Sequence, residues 1–186
     1  MLFRSRVLGV VEDPGGAEDY RHGGWTFEFD RGEGDKFKLD ETLATDALLL
    51  GRVTYDIWAG FWPAVTDESD EIARALNGRP KYVVSATLSK PAWKGTMVIR
   101  DAPGEVARLR QQPGKPILLM GSSGLAQTLI RNGLIDEYRL WIHPVVLGAG
   151  KKLFRDGGPP VNLRLADSMT TTGGLVILTY QPRDQR

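Results

Sequence analysis

The chain has 186 residues, with 24 Lys and Arg against 23 Asp and Glu, a formal charge of +1; so even a balance lacks the basic footprint of a nucleic-acid binder. Cysteine is absent, which removes disulfide frameworks, thiolate nucleophiles and Cys-based zinc sites, the zinc deaminase signature among them. The length suits a single domain spanning 1–186, and no apolar run is long enough to cross a membrane, so a cytoplasmic protein with no membrane partner is expected.

In chain order, the opening stretch MLFRSRVLGVVEDPGG interrupts its apolar residues with Arg4 and Arg6 and reaches Asp13-Pro14 too soon for a signal peptide. A Gly-rich loop around RHGGW leads to a charged helix over 36–44. The run 47–50, ALLL, shows no polar alternation and reads as a strand covered on both faces, as in parallel sheets. Helices at 54–59 and 67–77, strands at 81–85 and 97–100, a helix at 104–111, a strand at 117–120, a helix at 123–131 and a strand at 137–146 follow. This βαβ rhythm predicts an α/β fold with a mainly parallel central sheet flanked by helices. The tail differs: 161–168 and 175–181 flank TTTGG and read as a C-terminal antiparallel hairpin.

Three strand ends compete as anion cradles. After ALLL, Gly51 permits a tight turn or a close approach, Arg52 offers a fork of donors, and Thr54 adds a hydroxyl beside the first N–H groups of a helix. After KYVV come Ser85 and Thr87; after PILLM, Gly121, Ser122, Ser123 and Gly124 open another helix. Each is also ordinary turn and N-cap chemistry. Their shared place at strand C-termini, where open α/β sheets bind ligands, favours a common crevice. GAGKK at 148–152 is not a nucleotide fingerprint, since it lacks the spaced glycines of both the P-loop and the dinucleotide motif.

Two histidines, His22 and His143, are too few for a multi-histidine metal centre, and no metal is expected. His22 sits in a loop, and His143, just before Pro144, reads as a sheet-face residue with a local hydrogen bond. Trp25, Phe27, Trp58, Phe61 and Trp62 form either an aromatic wall for a flat heterocycle or ordinary core and interface.

The stretches EDPGG…HGGWTF, LLLGRVTYDIWAGFWP, KYVVSATL and PILLMGSSGLAQTLIRNGLIDEYRLWIHPVVLGAGKKLF together resemble the reductase domain of riboflavin biosynthesis, the RibD C-terminal domain, within the dihydrofolate-reductase-like fold. The resemblance runs from Val10 to Tyr180. It implies an NADPH-dependent reductase of a small pterin-like or ribosylaminopyrimidine-like heterocycle, working as a homodimer. Arg52 and Thr54 would lie near the cofactor phosphates, Ser85 and Thr87 near the 2′-phosphate, and Gly121 to Gly124 under the pyrophosphate; Gly148 and Gly150, with Trp25, would shape the substrate pocket. By the same resemblance Asp35 occupies the place of the folate reductases' carboxylate and is the acid or orienter; read from its residues alone it is a helix-start carboxylate. The family's first strand ends in Ser-x-Asp-Gly, whereas this chain has Arg6 and Leu8 at the Ser and Asp positions. That departure keeps a second class open, a nucleotide-binding or oligomeric scaffold without turnover.

Overall fold

The computed structural model describes residues 3–6, 10–155 and 157–183. In chain order it forms β1 (Phe3–Arg6), a 3-10 turn at Trp25–Glu28, α1 (Glu33–Leu43), β2 (Ala47–Gly51), α2 (Arg52–Phe61), a second 3-10 turn at Trp62–Ala64, and α3 (Glu71–Gly78). Then come β3 (Lys81–Val84), β4 (Thr96–Ile99), α4 (Ala102–Arg110), β5 (Ile117–Leu119), α5 (Ser123–Arg131), β6 (Glu137–Ile142), β7 (Leu163–Thr170) and β8 (Val176–Pro182).

Why the sheet is sandwiched is clearest at β2. Alternate side chains of a strand face opposite ways, so Ala47 and Leu49 enter one core with Val106 and Leu109 of α4 and Ala126 and Leu129 of α5. Leu48 and Leu50 enter the other with Tyr55 of α2 and Leu76 of α3. All three leucines are fully buried, each contributing about 1.5–3 kcal/mol. Further along, Phe37 of α1 packs on Trp141, Leu175 and Ile177.

The strand order is β4-β3-β2-β5-β1-β6-β8-β7. Strands β4 to β6 run parallel, with Ser5 opposite both Leu119 and Tyr138, and β8 is antiparallel to β6 and β7. The parallel set therefore brings six strand C-termini to one edge, where Gly51 ends β2 and Ser85, Arg100, Gly121 and His143 closely follow four others. The expected C-terminal hairpin is present as β7 and β8.

Several expected boundaries move by a few residues, and for two of them the reason is local. The helix expected from 67 begins at Glu71, because Asp70 caps it by accepting from Ala73 N at 2.9 Å, while Asp67 closes its own turn on Ser69. The strand expected to reach 146 stops at Ile142: Pro144 has no N–H to give a ladder, and Val145 N turns back to His143 O at 2.8 Å. Among the described residues no helix is long and apolar enough to cross a membrane.

Candidate functional site: a cleft at the strand C-termini

Two turns from distant parts of the chain are stitched together at this edge. Ser122 adopts a left-handed conformation (φ 59°), and its Oγ accepts from Gly51 N at 2.8 Å and donates to Thr54 Oγ1 at 2.9 Å. The approach is tight at a glycine on each side. A Cβ on Gly51 would come within 3.3 Å of Ser122 Cβ, and one on Gly121, itself at φ +59°, within 3.3 Å of Thr54 Oγ1.

Among the described helices α3 and α4 carry aspartate caps, Asp70 and Asp101, whereas α1, α2 and α5 have no side-chain cap; of these, α2 and α5 start at this edge, at Gly51 and Ser122. Those open ends, with the positive end of each helix dipole, face a cleft of ≈ 580 Å³ bordered by Thr54, Ser122, Ser123 and Gly124. Side chains around the cleft include five cations, Arg31, Lys38, Arg52, Lys151 and Arg155, against the carboxylates of Asp13 and Glu18. Three of these cations are already paired with carboxylates, Arg31 with Asp35, Arg52 with Asp56 and Lys151 with Glu12 and Glu18, so an anion entering the cleft shares them.

A second cavity of ≈ 430 Å³ shares Gly51, Arg52, Gly124 and Leu125 with the first and continues over Val84 and Arg100 to the start of α4. Arg52 thus stands where the two meet. Its Nε donates to both oxygens of Asp56, at 2.8 and 2.6 Å, and its Nη1 to Thr87 Oγ1 at 3.3 Å. Ser85 is buried with its hydroxyl turned inward, accepting from Thr87 N and Leu88 N at 3.3 and 3.1 Å. Neither Ser85 nor Thr87 borders the two cavities; Ser85 shapes the turn, and Thr87 reaches the site through Arg52.

Of the five aromatics expected as a wall, Trp25 and Trp58 border the cleft, joined there by Trp141. Trp25 is 6% exposed and fixed by Nε1 donating to Glu12 O at 2.9 Å. Phe27 and Phe61, 70% and 58% exposed, stand outside the wall, and Trp62 packs edge-on against Trp58. His143 borders the cleft, edge-to-face with Trp25 at 5.0 Å; burial, aided by Arg31, holds its pKa below the usual imidazole value and favours the neutral ring. His22 lies outside, against Tyr20.

The segment expected to bring Gly148 and Gly150 to the cleft brings other residues instead. Neither glycine borders it, while Lys151, Leu153 and Arg155 do. Gly150 serves a close approach: at φ +142°, a Cβ there would lie 2.4 Å from Val10 Cγ1. The two loops are closed by Val11 N to Lys151 O at 2.7 Å and by Lys151 Nζ to Glu12 and Glu18 at 3.0 and 2.9 Å, contacts that hold the Glu12 carboxyl below the usual carboxylate range.

Asp35 is 68% exposed, paired with Arg31 at 3.3 Å, and is not among the cleft residues; Arg31 and Lys38 are the side chains of this region that reach it. Asp13, which sequence reading passed over, is a buried carboxylate at the cleft, held left-handed (φ 44°) with Oδ1 accepting from Ala17 N and Glu18 N. Its signal was the Asp-Pro-Gly-Gly turn, since Asp tolerates this conformation and hydrogen-bonds the backbone just ahead. Leu8, the departure at the first strand, lies outside the described residues.

Comparison with known proteins agrees with this architecture. The sequence model described as RibD C-terminal domain matches residues 9–177. Two proteins of Bacillus subtilis strain 168 are similar: YyaP, 36% identical over 137 residues and 73% of each chain, and YwjB, 30% identical over 141 residues and 76% of each; both are described as uncharacterized. Among solved structures, a candidate riboflavin biosynthesis protein from Shewanella sp. PV-4 superposes with a TM-score of 0.69 at 20% identity, covering 98% of this chain and 97% of that one. A pyrimidine reductase-like protein from Corynebacterium diphtheriae gives 0.65 at 16% identity, covering 99% and 92%. At these identities the two structures speak for the fold.

Proposed function

Because the chain belongs to the RibD C-terminal domain family, we propose that it is an NADPH-dependent reductase of a small heterocycle, pterin-like or ribosylaminopyrimidine-like. One observation carries the reading: two helices begin without side-chain caps at a single cation-lined cleft, and Arg52 stands where that cleft meets a second cavity. A dinucleotide is long enough to occupy both. The N–H groups around Gly121 to Gly124 and the Thr54 hydroxyl suit its pyrophosphate, and Arg52, positioned by Thr87, suits a further phosphate. When bound, NADPH supplies the hydride. The chain's own share is to hold the acceptor flat against Trp25, Trp58 and Trp141 and to keep water away from it.

Calorimetric titration tests the cofactor assignment. NADPH is expected to bind more tightly than NADH, and Arg52→Ala to weaken NADPH about tenfold more than NADH, the loss of one charge-assisted contact. Equal affinity for both cofactors in the unsubstituted protein would remove the 2′-phosphate from the reading.

A second reading, a nucleotide-binding protein without turnover, is favoured by the exposed position of Asp35. Oxidation of NADPH against a panel of pterins and aminopyrimidines separates the two. Assembly as a homodimer belongs to the same proposal. β7 ends the sheet with residues 164–168 exposed, Leu165 among them at 49%, a free edge of the kind proteins usually cover. Light scattering is expected to give twice the chain mass, and Leu165→Asp the single mass with the fold intact; a monomer at micromolar concentration in the unsubstituted protein rejects the dimer.

A further inference from the structure

Arg52 is not presented to the cavities as an isolated charge. Asp56, one helical turn on along α2, holds Nε with both carboxylate oxygens within 2.8 Å. Thr87 accepts from Nη1, and the turn carrying Thr87 is itself clamped by Arg100, whose guanidinium donates to Ser85 O and Leu88 O. The guanidinium is therefore oriented from two sides, and one of those sides is an anion.

We propose that Asp56 is a built-in counter-anion that a ligand phosphate must work against at Arg52, so that Asp56 sets how strongly the cleft selects a 2′-phosphorylated dinucleotide over an unphosphorylated one. The inference rests on the cofactor reading above. Arg52 and Asp56 are 40% and 50% exposed, and an ion pair so open to water is weak enough to yield. A phosphate carries up to twice the carboxylate's charge and makes stronger charge-assisted hydrogen bonds. The carboxylate remains beside the bound phosphate, however, and repels it. Asp56 thus contributes two effects of opposite sign: it orients the guanidinium, which favours the phosphate, and it subtracts charge, which opposes it.

Two substitutions separate them. Asp56→Asn keeps an acceptor for Nε and removes the charge; Asp56→Ala removes both. With NADPH and NADH titrated in parallel, Asp56→Asn is expected to tighten NADPH by about three- to tenfold while moving NADH by less than about twofold. Asp56→Ala is expected to give a smaller gain, because the guanidinium loses its anchor. An NADPH-to-NADH preference in Asp56→Asn that stays unchanged or falls overturns the role of Asp56 while leaving the cofactor reading in place. An unsubstituted protein with no preference overturns both.

Discussion

Gly124→Asp is expected to lower NADPH affinity by a factor on the order of 10²–10³ while leaving thermal stability unchanged or raised. Gly124 is the second residue of α5 and borders both cavities, and a Cβ there meets nothing within 4 Å. The new side chain therefore fits without strain. A carboxylate in the first turn of a helix is favourable by about 0.3–1 kcal/mol, and replacing glycine inside a helix adds to that. The same carboxylate would occupy the place assigned to the pyrophosphate. Two like charges about 4 Å apart at an effective dielectric near 20 repel by about 4 kcal/mol, of which screening removes part. Gly124→Asn, similar in shape and uncharged, is expected to lose far less. Calorimetry for affinity and a melting curve for stability read the two effects separately. Undiminished NADPH binding in Gly124→Asp would move the phosphates away from α5.

Gly173→Ala is expected to destabilise the fold by about 2–4 kcal/mol, the range of serious overpacking. A Cβ at Gly173 would stand 1.9 Å from the carbonyl oxygen of Asp30, a backbone atom that cannot swing aside. This contact docks the tip of the β7–β8 hairpin on the entrance to α1, where Thr172 N donates to Glu33 Oε2 at 2.9 Å and a Cβ on Gly32 would meet Thr172 Oγ1 at 2.6 Å. Relief requires the hairpin and the segment before α1 to part, and that segment carries Arg31 to the cleft. Urea unfolding is expected to show the lowered midpoint. Gly174→Ala, at φ +80° but in open space, is expected to cost less, about 1 kcal/mol for the left-handed backbone alone; equal losses in both variants would mean that the docking contact contributes nothing.

Much of the fold was legible because its signals are local. The unalternating run before Gly51 demanded cover on both faces, and β2 has it; glycines and polar residues after that run and after PILLM marked the ends where strand gives way to helix. Spacing alone also brought Gly51, Thr54 and Gly121 to Gly124 to one edge, since parallel strands leave all their C-termini on the same side. What the sequence could not determine is where each side chain points and which distant loops meet. Ser85 and Asp35 stood at suitable positions along the chain, but the 85–88 turn faces the Ser85 hydroxyl inward, and Asp35 faces solvent while Arg31 and Lys38 reach the cleft. Lys151 joins the site only because Gly150 lets its loop close on Val10 and Glu12, residues more than 130 positions away. Strand periodicity is a property of neighbours in the chain, whereas these contacts follow from packing between segments that the chain brings together only once the sheet has formed.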